Sequence, residues 1–255
     1  MLLVLSLLIV ILTIPFSIIL ANEDTQNLYV YSKQLIFGVL VISSLALIIN
    51  FLFPLNHYVT TSLVIISILI ILRYKKKFLS PIFLKFLVIQ SLFLTLILSE
   101  SNVYRPDAGL YHLPYVNIIN TEKIIIGISN IHFRFGHTSI IQYISALNNN
   151  WIFSNNGVLL PTAIIYICFL FYLIYEIKFF NNKNLIFFNF LILSFLCLKL
   201  NRYSDFGNDA PAHIYYFLLT SLAFKYYKKL ELSRMGEIAV ISAYLVYNKI
   251  TLFLG

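Results

Sequence analysis

Three short segments hold most of the residues in this chain that could do chemistry. The first reads Arg105-Pro106-Asp107-Ala108-Gly109-Leu110-Tyr111-His112-Leu113-Pro114. A helix that opens at Asp107 places Tyr111 one turn on, along the same face. A carboxylate at a partly dry boundary can have its pKa raised into the range of a general base, so Asp107 is a candidate for taking a proton from a hydroxyl. The plainer role of the same residue is a helix N-cap, with Pro106 ending the segment before it. The two roles are compatible.

The second segment is Asn130-Ile131-His132-Phe133-Arg134-Phe135-Gly136-His137. Arg134 lies between aromatics, and its guanidinium offers a fork of donors suited to phosphate. His112, His132 and His137 could hold a divalent metal together with Asp107, although their spacing matches no zinc pattern. The alternative is a set of surface histidines with an arginine held at lipid headgroups. The third segment is Arg202-Tyr203-Ser204-Asp205-Phe206-Gly207-Asn208-Asp209-Ala210-Pro211-Ala212-His213. Residues 205–208 read as a turn and Asp209 as a helix start. In the functional reading Arg202, Asp205, Asp209 and His213 face the same cavity as Asp107; otherwise Asp209 is only a cap. Lys249, inside the last apolar run with no acid near it in sequence, needs a partner or a cavity. No Gly-rich phosphate loop, Ser-His-Asp order, CxxC motif or nucleic-acid module occurs. A divalent metal is the one cofactor these residues raise.

The elements that must position these groups follow from composition. Of 255 residues, 60% are hydrophobic and 11% charged, against about 25% charged in an ordinary soluble domain. This excludes a typical water-soluble protein and a disordered one. Cys168 and Cys197 both sit in apolar runs, which argues against a disulfide framework. Eight runs are long and apolar enough to predict membrane crossings, near 1–20, 35–53, 58–73, 82–99, 158–177, 184–200, 210–224 and 238–255. The expected fold is therefore all-α, a polytopic transmembrane helix bundle of about eight spans. It divides into N-terminal spans (1–99), an extracytoplasmic loop (100–157) and C-terminal spans (158–255), all within one membrane domain. The loop carries amphipathic stretches, near 109–121 and 139–147, that predict short helices lying on the membrane surface. The first run lacks a basic start and has a weak cleavage site, so it reads as a retained membrane helix. The last ends without a polar flank, which predicts a truncated or partial chain; a short subunit completed by association is the other reading.

The net charge of +8 has a topological explanation, because twelve of the eighteen Lys and Arg residues fall on one side of this arrangement. The clusters Arg73, Lys75, Lys76, Lys77 and Lys225, Lys228, Lys229, Arg234 mark that side as cytoplasmic. The long loop and the 201–209 connection lie on the other.

An acid just after a span, heading an outer loop with short surface helices, resembles the GT-C superfamily of membrane glycosyltransferases. The residues that carry the likeness are Asp107-Ala108-Gly109-Leu110-Tyr111-His112-Leu113-Pro114 and Asp205-Phe206-Gly207-Asn208-Asp209-Ala210-Pro211-Ala212-His213, within roughly 82–225. The resemblance implies transfer of a sugar from a polyprenyl-phosphate donor to an extracytoplasmic acceptor, in a bacterial inner (plasma) membrane. Asp107 matches the first-loop acid that acts as base, Arg134 or Arg202 would neutralise the departing lipid phosphate, and Tyr111 and His112 would position sugar or acceptor. His132, His137, Asp205, Asp209 and His213 complete the expected binding set. Many relatives carry a second acid beside the first, whereas here the next acid downstream is Glu122, and such proteins usually have more than eight spans. The partners implied are membrane lipids and the lipid-linked sugar, with no nucleic acid. The competing functions are a transporter or flippase for lipid-linked sugars, and a noncatalytic membrane protein.

Overall fold

The structure, a computed structural model, describes residues 1–19, 27–100, 106–136, 139–153, 155–200, 205–227 and 231–249. Arg105, His137 and Arg202 lie outside the described residues. Among those described the chain is all-α, without strands. Its helices are α1 (Leu2–Thr13), α2 (Leu28–Asn50), α3 (His57–Arg73), α4 (Lys75–Phe78), α5 (Pro81–Ser99), α6 (Leu113–Thr121), α7 (Ile140–Leu147), α8 (Leu160–Phe179), α9 (Lys183–Leu198), α10 (Asp209–Tyr226) and α11 (Leu232–Asn248).

The polar breaks between apolar runs become helix caps. Asn27, Asn56, Ser80 and Asn182 each accept hydrogen bonds from backbone N–H groups in the first turn that follows, satisfying donors that have no partner within the helix. Pro81 directly after Ser80 suits a first helical position, where no N–H is needed.

Three helical stretches, Leu28–Asn50, Pro81–Ser99 and Asn156–Phe179, are long and apolar enough to cross a membrane. Shorter apolar helices cover Leu2–Ile18, His57–Arg73 and Lys183–Leu198. The last two expected crossings are more polar than the sequence runs implied. Helix α10 includes Asp209, His213 and Lys225, while α11 starts at Leu232 rather than near 238, takes in Arg234 and Glu237, and ends before Lys249.

Helices α2 and α8 form the centre, packed on each other. Their apolar windows are 72% and 83% buried, against 33% for α5. Peripheral helices α3, α5 and α9 turn Ile65, Leu69, Leu84, Leu96, Phe187 and Phe190 outward. An apolar belt of this kind would aggregate in water and is what lipid covers.

Pro15, which has no N–H to donate, lies where α1 gives way to a 3₁₀ turn over Ile14–Ile19. This turn lies against α2 at Gly38, where a Cβ would collide with the Thr13 carbonyl. Gly38→Ala should therefore destabilise the fold by about 1–3 kcal/mol, the usual range for an overpacked core. Thermal unfolding in detergent measures it, and an unchanged midpoint would mean that the two backbones separate at no cost.

The expectation of two surface helices in the long loop needs correction. Helix α6 is amphipathic, burying Tyr115, Val116 and Ile119, but every residue of α7 is buried. It packs against α2, α6 and α8. Its polar side chains are met inside the protein: Ser145 donates to the Val158 carbonyl at 3.2 Å, and the Tyr143 and Tyr115 hydroxyls lie 3.3 Å apart. The adjoining asparagines hold it in place. Asn120 donates to the Leu55 and Ala146 carbonyls, and Asn149 donates to Asn117 and Asn120. An isolated eight-residue amphipathic pattern looks the same whether lipid or protein covers it.

The two ends of the bundle differ. At one end, Tyr31 of α2 donates to the Lys77 carbonyl (3.1 Å), and Lys33 pairs with Glu237 (3.0 Å). Lys225 at the end of α10 pairs with Glu176 of α8 at 2.8 Å. The described members of both cation clusters, Arg73, Lys75, Lys76 and Lys77 with Lys225 and Arg234, thus adjoin this end. The opposite end gathers the start of α10, the end of α11, the described residues of the 106–147 segment and the start of α8.

Candidate functional site

Pro106 and Asp107 lead into a π-type turn over Ala108–His112, which runs directly into α6. The Asp107 side chain makes no capping hydrogen bond to this turn, and it is exposed. The wider π turn brings both Tyr111 and His112 into the field of Asp107. Ala108 and His112 face inward, with His112 only 4% exposed.

Arg134 comes from the loop after α6. Its guanidinium carbon lies 5.0 Å from the centre of the Tyr111 ring and 5.4 Å from that of Phe133, so aromatic faces hold the cation at the surface. The loop is shaped by His132, whose Nδ1 accepts the Arg134 backbone N–H at 3.3 Å while its ring stacks on Phe133. His132 thus has a local job in shaping this loop.

The start of α10 supplies Asp209. Residues 205–208 form the expected turn, but Asn208 occupies the cap position and Asp209 is the first helical residue. Its carboxylate accepts from Lys249 Nζ at 2.6 Å. Lys249 lies just past the end of α11, so the partner that a lysine in an apolar run requires comes from another helix. Asp205 and Phe206 are buried, and the Phe206 ring meets the His112 ring edge-on at 5.8 Å. His213, one turn further along α10, is half-buried.

Asp107, Asp209 and Arg134 all act electrostatically on both Tyr111 and His112. Burial, then the charge of Asp107, push the Tyr111 phenol up; Arg134 pulls it down and Asp209 adds to the rise. Burial drives the His112 imidazole down to about 4, against the opposing pull of Asp107 and Asp209. The arrangement combines an exposed carboxylate, a phenol that stays protonated, a neutral imidazole, and two cations, one of them held by a second carboxylate. Among the described residues no group of three or more His, Cys, Asp and Glu is placed to hold a metal. A cavity of about 240 Å³ lies further along α6, lined by Leu47, Asn50, Tyr115, Ile119, Glu122 and Tyr143. None of the sequence candidates borders it.

Residues 1–254 match a family described as Domain of unknown function (DUF8201). The chain belongs to the DUF8201 family. No curated protein and no solved structure matches it.

In this DUF8201 chain, Asp107, Tyr111, His112, Arg134 and Asp209 come together from three separate stretches of sequence. Sequence reasoning overlooked Gln142 and Asn248. Gln142 Nε2 lies 2.9 Å from His112 Nδ1, and Asn248 Oδ1 accepts from Ser139 Oγ (2.9 Å) and from the Ile141 N–H (3.3 Å). Asn248 therefore ties the end of α11 to the start of α7 and fixes where Lys249 emerges. The Ser139-x-x-Gln142 pattern was the available clue, since a Ser followed three residues later by Gln marks a helix start.

Proposed function

We propose that this DUF8201 protein is a membrane glycosyltransferase of the GT-C kind, moving a sugar from a polyprenyl-phosphate donor to an acceptor hydroxyl at the end of the bundle that carries Asp107. The observation that carries the reading is the convergence of an exposed carboxylate, Asp107, of Arg134 and of the Lys249-paired Asp209 on Tyr111 and His112, at one end of an apolar helix bundle. A lipid-linked sugar phosphate needs this combination, a base for the incoming hydroxyl and cations for the phosphate that departs.

In the reaction, Asp107 accepts the proton of the acceptor hydroxyl as its oxygen bonds to the anomeric carbon. The bond from that carbon to the donor phosphate oxygen breaks, and the oxygen keeps the electron pair. Arg134 meets the negative charge on the lipid phosphate, and Lys249 adds a second cation if it swings from Asp209. Because Asp107 is exposed in the free protein, the dry surroundings that favour a base come from the bound lipid and sugar. The remaining short and more polar helices complete a bundle of about eight crossings. The described cations of the two clusters, Arg73, Lys75, Lys76, Lys77, Lys225 and Arg234, lie at the end away from Asp107, and the positive-inside rule supports a site that faces the outside.

The test is transfer by the purified protein in lipid nanodiscs, given a radiolabelled polyprenyl-phosphate hexose and a polysaccharide or lipid acceptor. The expected result is release of polyprenyl phosphate together with labelled acceptor. Arg134→Ala should weaken donor binding by roughly tenfold or more, the value of a charge-assisted hydrogen bond. Donor binding and flipping without any release of polyprenyl phosphate would replace the transferase reading with that of a flippase.

A further inference from the structure

The hydrogen bonds behind His112 fix which of its ring nitrogens carries the proton. Gln142 Oε1 accepts the Ser139 backbone N–H at 3.1 Å. A backbone N–H can only donate, so this contact sets which way the Gln142 amide faces. Its Nε2, which can only donate, is then directed at His112 Nδ1, 2.9 Å away. His112 Nδ1 must therefore be the acceptor, and in the neutral ring the proton sits on Nε2. This assignment follows from donor and acceptor chemistry and does not depend on seeing a hydrogen.

The surroundings of Nε2 give that proton a direction. Gly207, in the Asp205–Asn208 turn, lies close to it: a Cβ there would lie 4.0 Å from Nε2. Phe206 covers one side of the ring and Tyr111 another, with centroids at 5.8 and 4.1 Å. Among the described residues, the charged groups acting on the ring are Asp107 from its own turn, Asp209 from α10 and Arg134 from the loop after α6. The element packed behind it, α7, contributes the uncharged Gln142.

We propose that His112 is a positioning residue that works as a neutral hydrogen-bond donor, presenting Nε2–H past Gly207 to an uncharged oxygen of the bound ligand. It is thereby neither the base nor a cation for phosphate. In the transferase reading, on which this choice of ligand rests, that oxygen is a hydroxyl of the donor sugar. The tautomer itself does not rest on that reading. Burial holds the imidazole neutral near pH 7, and a neutral donor matches a hydroxyl, leaving phosphate to Arg134 and Lys249. Gly207 becomes the residue that determines how large a group can approach the donor.

The test uses the full chain in nanodiscs with ¹⁵N-labelled histidine, and His112→Asn identifies the His112 signals. The expected spectrum is that of the Nε2–H tautomer at pH 7. Gln142→Glu, whose carboxylate can only accept, should move the proton to Nδ1 or charge the ring. An Nδ1–H tautomer or an imidazolium in the unmodified protein at pH 7 overturns the proposal, whatever the transfer assay gives. Binding of a polyprenyl-phosphate hexose then tests the donor role. His112→Asn, which keeps an N–H donor, should bind more tightly than His112→Phe, with the loss in the phenylalanine variant roughly tenfold. Equal binding by the unmodified protein and His112→Phe overturns the donor role. A failure of the unmodified protein to bind the probe overturns the transferase reading, and with it the sugar hydroxyl as partner, while the tautomer still stands or falls on the spectrum.

A stability measurement adds a readout independent of ligand. The folded His112 has a lowered pKa of about 4, against about 6.5 for an unperturbed histidine, so between these values the unfolded chain binds the extra proton. The His112 contribution is therefore fully present above about pH 6.5 and is lost as pH falls through about 4. His112→Asn should remove that part of the acid sensitivity of thermal unfolding. An acid limb identical in the variant would mean that His112 is not held neutral by the fold.

Discussion

Asp107→Asn is expected to lower sugar transfer by about 10²–10⁴-fold, the usual contribution of a positioned general base, with expression and membrane insertion unchanged. The structure makes this a clean experiment. Asp107 is exposed and its side chain makes no capping hydrogen bond to the π turn that follows, so the local structure does not lean on the carboxylate. Surface changes away from such features alter stability by no more than about 0.5 kcal/mol. Asparagine preserves shape and polarity and removes only the ability to take a proton at neutral pH. If Asp107 were just a helix cap, asparagine, an equally good cap, would leave transfer intact. Donor binding by the variant should persist, because Arg134 is untouched. Normal transfer by the asparagine variant would remove Asp107 as the base.

Lys225→Met should destabilise the protein by about 3–5 kcal/mol, the cost of leaving a buried charge without its partner. Glu176 is fully buried, and its Oε1 accepts from both Lys225 Nζ and the Tyr29 hydroxyl at 2.8 Å. The ammonium lies 4.0 Å from the centre of the Phe180 ring, with the Tyr29 and Tyr226 rings also near it. Four helices meet here, because the neighbouring Lys33–Glu237 pair joins α2 to α11, with Arg234 at 3.3 Å from the same Glu237. Replacing both members, with Glu176→Leu and Lys225→Met together, should restore most of the loss, since well-packed apolar groups can match a buried ion pair. Thermal unfolding of the two single variants and the double variant in detergent gives the coupling directly. Additive losses would mean that the two residues act separately.

The site was legible in part. Asp107, Arg134 and Asp209 stand out in sequence because acids and arginines are scarce there, and all three converge on Tyr111 and His112. His132 stands out equally, but its Nδ1 serves the backbone of its own loop. Gln142 does not stand out, because an uncharged amide in an apolar stretch has a role only when its two ends have identified neighbours. The start of α2 shows the same limit in the fold. Hydropathy begins that run near 35, yet Asn27 caps the helix and the chain is helical from Leu28, carrying Lys33 into the interior. A lysine counts against burial until its partner is known, and here the partner is 204 residues away.

By itself the sequence determined that this protein is helical and apolar, and which loops collect the scarce charges. Each of these is local, set by hydrophobicity summed over one stretch. Only the tertiary structure decided that α7 is covered by protein, that Lys249 meets Asp209 from 40 residues away and Lys225 meets Glu176 from 49, and which nitrogen of His112 holds its proton. Those outcomes depend on which groups face one another once water is excluded. A buried charge or ring nitrogen has its state set by its neighbours, and the chain must be packed before it has any.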